Sequence, residues 1–332
     1  MERKYFYEAG LDVFTSYKTI VPVEYLEKVA EVDFHKYHIY SILAYEQFYF
    51  KKEKTYCNSR GIQITLFTVI NGEEVEYELP LWELNEDFEI GMDQIEIEMN
   101  MPYISMKIKF KDKNILIEHP EYKKYEAVLY AQDIMMSYAS ILIKKTVFKV
   151  LYIGQAFGKD GKRTAFNRLS AHSTLQKILT DCQAKYADKH IYLMLMEFKP
   201  QLMSVFDGIS KKYTMTEEES DKHMHDVLCN LPRLDQVINI TEAALINYFK
   251  PEYNVNFVEN FPNENHKGYK QYFDLDYNSL CVEIDLEFDS LNWVQLYSDA
   301  NKITTSFDFI QYQLYNDNKR LSMYDIFRSE KV

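Results

Sequence analysis

The sequence predicts an α+β protein: a small antiparallel sheet flanked by helices at the centre, with β-rich segments before and after it. Three observations lead there. Alternating apolar and polar residues recur between positions 61 and 117. Helical windows then follow, each next to a short apolar run. Alternation returns near Cys281. In chain order, residues 24–44 read as helical. Residues 61–70 and 74–79 alternate around Asn71 and Gly72, whose pairing is the signature of a type I′ hairpin turn. Runs at 94–99 and 103–110 and a short strand at 115–117 complete an antiparallel meander with one polar face. A helical connector near 126–138 leads to an apolar strand ending at Gly154. A helix over about 164–184, a buried strand at 191–198 and a partly helical insertion at 199–239 come next. A helix opening at Thr241 and stopped by Pro251 closes the central part. The divisions expected are a β-rich N-terminal interaction domain (1–125), a central domain (126–264) and a small α/β C-terminal region (265–332).

The 332 residues carry 51 acids against 38 Lys and Arg, a net charge of −13, which disfavours a polyanionic partner over most of the surface. The charge is uneven. Residues 141–190 hold ten Lys and Arg against three acids, a net of +7, and the rest of the chain carries −20. A basic segment of this kind suits contact with phosphates. The four cysteines form no CxxC pair, which argues against a zinc ribbon or a disulfide framework and fits a reducing compartment. The start of the chain lacks a secretory h-region and no apolar run could span a bilayer, so a soluble, cytoplasmic protein without membrane contact is expected.

Two motifs compete for the glycines after residue 150. A phosphate-cradling loop of the G-x-x-x-x-G-K-[ST] type fails, because Arg163 follows Gly161 and Lys162 and the leading glycine position holds Ala156. The run Leu151-Tyr152-Ile153-Gly154, a loop, then Asn167-Arg168-Leu169-Ser170-Ala171-His172 fits a different pattern. It is followed by Thr241-Glu242 opening a helix and by Pro251-Glu252-Tyr253-Asn254. In this order the residues resemble the second half-motif, the R-x-x-x-H helix and the Glu…Pro-x-x-Asn helix of the GIY-YIG nuclease superfamily, over about 120 residues. The first half-motif, Gly-Ile-Tyr on the preceding strand, should lie near residues 140–145, which contain neither Gly nor Tyr. Tyr152, Lys144 or Lys145 are the candidates to take the place of its tyrosine.

The resemblance implies hydrolysis of nucleic-acid phosphodiesters, DNA before RNA, with one divalent ion, Mg²⁺ or Mn²⁺, on Glu242. Arg168 would clamp the scissile phosphate with its planar fork. Tyr152 would orient or deprotonate water, and His172, one helical turn from Arg168, would assist proton transfer. Lys149, Lys162 and Arg163 would contact substrate and Asn254 would brace the site. By the same analogy the acidic flanking domains would bind a protein partner or form a homo-oligomer, in a restriction or phage-defence role. The alternative is a catalytically impaired relative acting as a nucleic-acid- or protein-binding subunit. Each residue also has a plain structural reading. Tyr152 alternates with core residues, His172 shares a stripe with Leu175 and Leu179, and Glu242 follows an apparent N-cap threonine where acids are favoured by the helix dipole. His223, His225 and Cys229 lack a fourth zinc ligand nearby in sequence.

Overall fold

The computed structural model describes residues 2–33, 35–83, 91–156, 169, 173–185, 187–206 and 212–325. One mixed eight-stranded sheet organises them. Its elements, in chain order, are β1 (Glu8–Pro22), α1 (Leu26–Val32), β2 (Ile39–Glu46), α2 (Ala131–Leu142), β3 (Thr146–Gln155), α3 (Ser173–Lys185), β4 (Lys189–Val205), α4 (Glu217–Cys229), α5 (Leu234–Phe249), β5 (Ser279–Asp285), β6 (Val294–Tyr297), β7 (Lys302–Ile303) and β8 (Phe307–Gln313). The strands lie in the order β7-β6-β3-β2-β4-β1-β5-β8. β3–β6 and β1–β5 are parallel, and the other pairs are antiparallel. The chain is therefore mixed α and β around a large sheet. That sheet takes strands from all three segments into which the sequence had been divided.

The central strands are buried on both faces, so their sequences read as continuous apolar runs rather than alternation. In β4, residues 191–196 are all buried. Ile39–Tyr45 in β2 are likewise buried throughout. This explains one correction. The expected helix at 24–44 exists only as α1, and the run from Ile39 is a central strand between β3 and β4. A short buried strand and a buried helical segment cannot be told apart by periodicity.

Two cores cover the two faces. One gathers Phe148, Ile153, Met194, Met196 and the apolar face of α5. The other gathers Tyr40, Ile42, Leu151, Leu169, Leu175, Ile178 and Leu195 beneath α3. Residues 47–145, between β2 and β3, carry three separate three-stranded sheets instead of one meander. The hairpin at Thr65–Ile70 and Glu73–Glu78 turns through Asn71 (φ 54°) and Gly72 (φ 83°), as expected for its turn residues. Ile115–Glu118, expected as a strand, is a single helical turn. α5 starts at Leu234, well before Thr241, and ends with Lys250 in the left-handed conformation (φ 45°) just before Pro251. No helix among the described residues is long and apolar enough to cross a membrane.

Candidate functional site

Three of the sequence-selected residues, Tyr152, Glu242 and Asn254, meet the end of β3. Tyr152, Ile153 and Gly154 pair antiparallel with Ile42, Ser41 and Tyr40 of β2. Residues directly opposite in an antiparallel pair share a face. Tyr40 therefore stands across from Gly154 on the face that Tyr152 also occupies. The two rings lie 6.1 Å apart, centroid to centroid. Gly154 is what admits them: a Cβ there would sit 2.7 Å from Tyr40 Oη and 2.8 Å from a Tyr152 ring carbon. Tyr40 is fully buried and Tyr152 half-buried.

The opposite face supplies the acid. α5 packs there, and Glu242, in the helix interior and 8% exposed, accepts a hydrogen bond from the Gln155 backbone N–H at 3.0 Å. The Gln155 side chain donates to Asn239 Oδ1, one turn earlier on α5, at 2.9 Å. Thr241 is not an N-cap. Its hydroxyl bonds back to the Val237 carbonyl at 2.8 Å within the helix, so the dipole at a helix start does not account for an acid at 242. The tyrosine pair thus lies against Gly154 on one face, and Glu242 reaches the backbone of the next residue, Gln155, from the helix on the other.

Asn254 fastens this strand from the side. Its amide accepts from Ile153 N–H at 2.9 Å and donates to Ile153 C=O at 2.8 Å, completing both hydrogen bonds of that residue as a neighbouring strand would. Tyr253 adds N–H to Leu151 C=O at 3.1 Å, and its hydroxyl reaches Asp181 of α3 at 3.0 Å. The turn after Pro251 therefore ties α5, β3 and α3 together. Before β2, Asp33 accepts from His35 N–H at 2.9 Å and from the Tyr37 hydroxyl. Burial raises the Asp33 pKa, but the hydrogen bonds from Tyr37 and His35 outweigh it, and the group lies below its ordinary value. Burial, then the Asp33 hydrogen bond, raise Tyr37. Burial holds His38 below the usual imidazole range.

Of the other residues that the resemblance assigns to the site, only Lys149 is among those described. Lys149 lies five positions back along β3, roughly 16 Å from Gly154 at strand rise. It is paired with Asp299 at 3.1 Å, and it is not brought to this strand end. A cavity of about 610 Å³ lined by Glu46, Val147 and residues 295–304 opens at that far end. Lys162, Arg163, Arg168 and His172 lie outside the described residues; Leu169, between the last two, is fully buried in the tyrosine-side core. Residues 140–145, where a first tyrosine was sought, form the last turn of α2 and its exit into β3. The strand antiparallel to Tyr152–Gly154 is β2, which opens Ile39-Tyr40 directly after His38. Sequence reasoning missed Tyr40, although that tripeptide was readable. His223 is buried, stacks on Tyr5 at 3.8 Å and meets the Leu275 carbonyl at 3.0 Å, a packing role. Among the described residues no group of three or more His, Cys, Asp or Glu could hold a metal ion. Comparison with protein-family models, with curated proteins and with solved structures returned no match.

Proposed function

We propose that the protein is a divalent-metal-dependent nuclease of the GIY-YIG type, cleaving phosphodiester bonds in nucleic acid, DNA in the first instance. One observation carries the reading. Tyr40 pairs with Gly154 at the start of the strand antiparallel to Tyr152-Ile153-Gly154, in a His-Ile-Tyr run that differs from the family's first half-motif only at its first residue, and would take the place of the tyrosine missing from residues 140–145. Position 38 is not among the positive-φ residues, so no glycine is required there.

The chemistry assigned to Tyr152, Tyr40, Asn254 and Glu242 follows from their exposure and partners, and that of Arg168 from the resemblance alone. Tyr152, the more exposed of the pair, meets the attacking water and orients it or takes its proton. Tyr40, packed beneath, is a positioning residue. Arg168 supplies the fork that holds the phosphate oxygens. Asn254 keeps the strand end from shifting relative to α5. Glu242 suits a hard ion such as Mg²⁺, which accepts one carboxylate and keeps most of its waters. Such an ion would offset the negative charge that builds on the phosphate oxygens during in-line attack.

Purified protein, supercoiled plasmid and a Mg²⁺/Mn²⁺ series test this. Nicking abolished by EDTA is expected, with losses on the order of 10²- to 10³-fold in Tyr152→Phe and Glu242→Gln if each acts at the transition state. Wild-type protein that leaves plasmid, linear duplex and single strands intact with either ion, or both variants cutting at the wild-type rate, overturns the assignment.

A further inference from the structure

Beside the tyrosine pair, on the same face of the sheet, lies an exposed aromatic stack. Tyr17 of β1 is paired with Glu197, and the neighbouring pairs Thr19–Leu195 and Tyr40–Leu195 fix its face as that of Tyr40. Two strand spacings and two residue rises separate the two positions, about 12 Å. His35 lies flat on Tyr17, with centroids 3.4 Å apart and planes within 4°, and Tyr37 fills the corner at 6.0 Å. The stack is held rather than loose. Asp33 accepts from His35 N–H at 2.9 Å, contacts its ring Nδ1 at 2.8 Å, and accepts from the Tyr37 hydroxyl. Tyr37 is 3% exposed, whereas Tyr17 is 41% exposed and the His35 side chain 42%.

Two large rings left open to water, His35 fixed by the Asp33 carboxylate and Tyr17 lying flat against it, form a platform whose ordering cost is largely met before anything binds. Every nucleobase offers a π-face to such a platform. In an intact duplex those faces are covered by neighbouring base pairs, so only an unpaired base can use it. Taking the nuclease reading as its basis, we propose that the Tyr17–His35 stack receives an unpaired base near the scissile phosphate. The favoured substrate is then single-stranded or locally unpaired nucleic acid rather than continuous duplex. Tyr152, the group at the scissile phosphate, lies one strand spacing and two residue rises beyond Tyr40, about 20 Å from Tyr17, a span of roughly three nucleotides of extended chain.

The experiment measures fluorescence anisotropy of the full-length protein in EDTA with a fluorescein-labelled 12-nucleotide single strand and with the same strand in duplex. Wild type, Tyr17→Ala, Tyr17→Trp and His35→Ala are compared. Tyr17→Ala and His35→Ala should bind the single strand roughly ten- to a hundredfold more weakly. Duplex affinity should be unchanged, and Tyr17→Trp should restore binding. The salt dependence of Tyr17→Ala should match wild type, because no charge was removed. Equal single-strand affinity in wild type and both alanine variants overturns the platform while leaving the nuclease reading standing. If wild type binds neither probe and nicks no plasmid, the nuclease reading fails and takes the platform with it.

Discussion

Gly154→Ala is the substitution whose outcome the geometry fixes most tightly. The added methyl would lie 2.7 Å from Tyr40 Oη and 2.8 Å from both Tyr40 Cζ and a Tyr152 ring carbon. Ordinary carbon–oxygen contact is about 0.6 Å longer, and neither neighbour is a flexible chain end: Tyr40 is wholly enclosed, between β3 and β4. Relief must come from moving a packed ring or the strand itself, which costs about 1–3 kcal/mol. Unfolding entropy for a chain of 332 residues is about 0.7 kcal/mol per kelvin, so the melting temperature should fall by about 1.5–4 °C. Differential scanning calorimetry of Gly154→Ala, Tyr40→Phe and the double variant measures it. Removing Oη takes away the shortest contact, so the double variant should recover part of the loss, a coupling of about 0.5 kcal/mol or more. Nicking should fall further than stability, since a displacement near 1 Å at a reacting group can cost 10²-fold. A Gly154→Ala protein that melts with wild type and shows no coupling to Tyr40→Phe would refute the close approach of the two tyrosines, and with it the site built on them.

Two further predictions concern the fold around β1. Asp12, 8% exposed, and Glu283 sit on one face of the parallel pair β1–β5, with Cys281, Gln311 and Tyr324 beside them. Burial, then the hydrogen bond and charge of Asp12, push the Glu283 pKa up to about 7. The folded state therefore keeps a proton that the unfolded chain releases above its ordinary carboxyl value, so stability should decline as pH rises from about 4.5 to 7 and level off beyond. Asp12→Asn should flatten that decline in urea titrations across this range; an unchanged slope would refute the part assigned to Asp12 in raising Glu283. Arg320, whose side chain is 3% exposed, bridges Glu8 and Asp276 at 2.6 Å each and holds the C-terminal segment to β1. Arg320→Ala leaves a buried acid without its partner, and a loss of about 3–5 kcal/mol, seen as a melting temperature lower by about 4–7 °C, is expected.

What the sequence disclosed depended on how far apart along the chain the partners lie. The Asn71–Gly72 hairpin is local chemistry and was legible at once. Tyr152, Glu242 and Asn254 were found through spacing within one segment, and the structure brings all three to the end of β3. Tyr40 was not found, because residues 47–145 intervene between the two paired strands and a doubly buried strand imitates a helix. The same long-range pairing hid the large sheet: β1, from the start of the chain, lies between β4 from its middle and β5 from its last fifth, which no window of local sequence can join.

Glu242 was picked out by the resemblance, with the dipole of a helix start as its plain structural reading; the structure removes that plain reading, because Thr241 and Glu242 lie inside α5. As a first-turn acid it would have been ordinary. In the interior of α5 and 8% exposed, a carboxylate is expensive to bury, and the Gln155 N–H it satisfies asks only for an oxygen acceptor. Glutamine at 242 would present the same acceptor with no charge to desolvate. The Gln155 contact does not by itself call for an ionised group at this position, whereas the proposed chemistry at a phosphodiester does. Glu242→Gln separates the two demands. Melting temperature equal to or above wild type, together with lost nicking, is the result expected of a carboxylate kept for its charge. A variant that loses stability and activity in proportion would show the acid serving the fold instead.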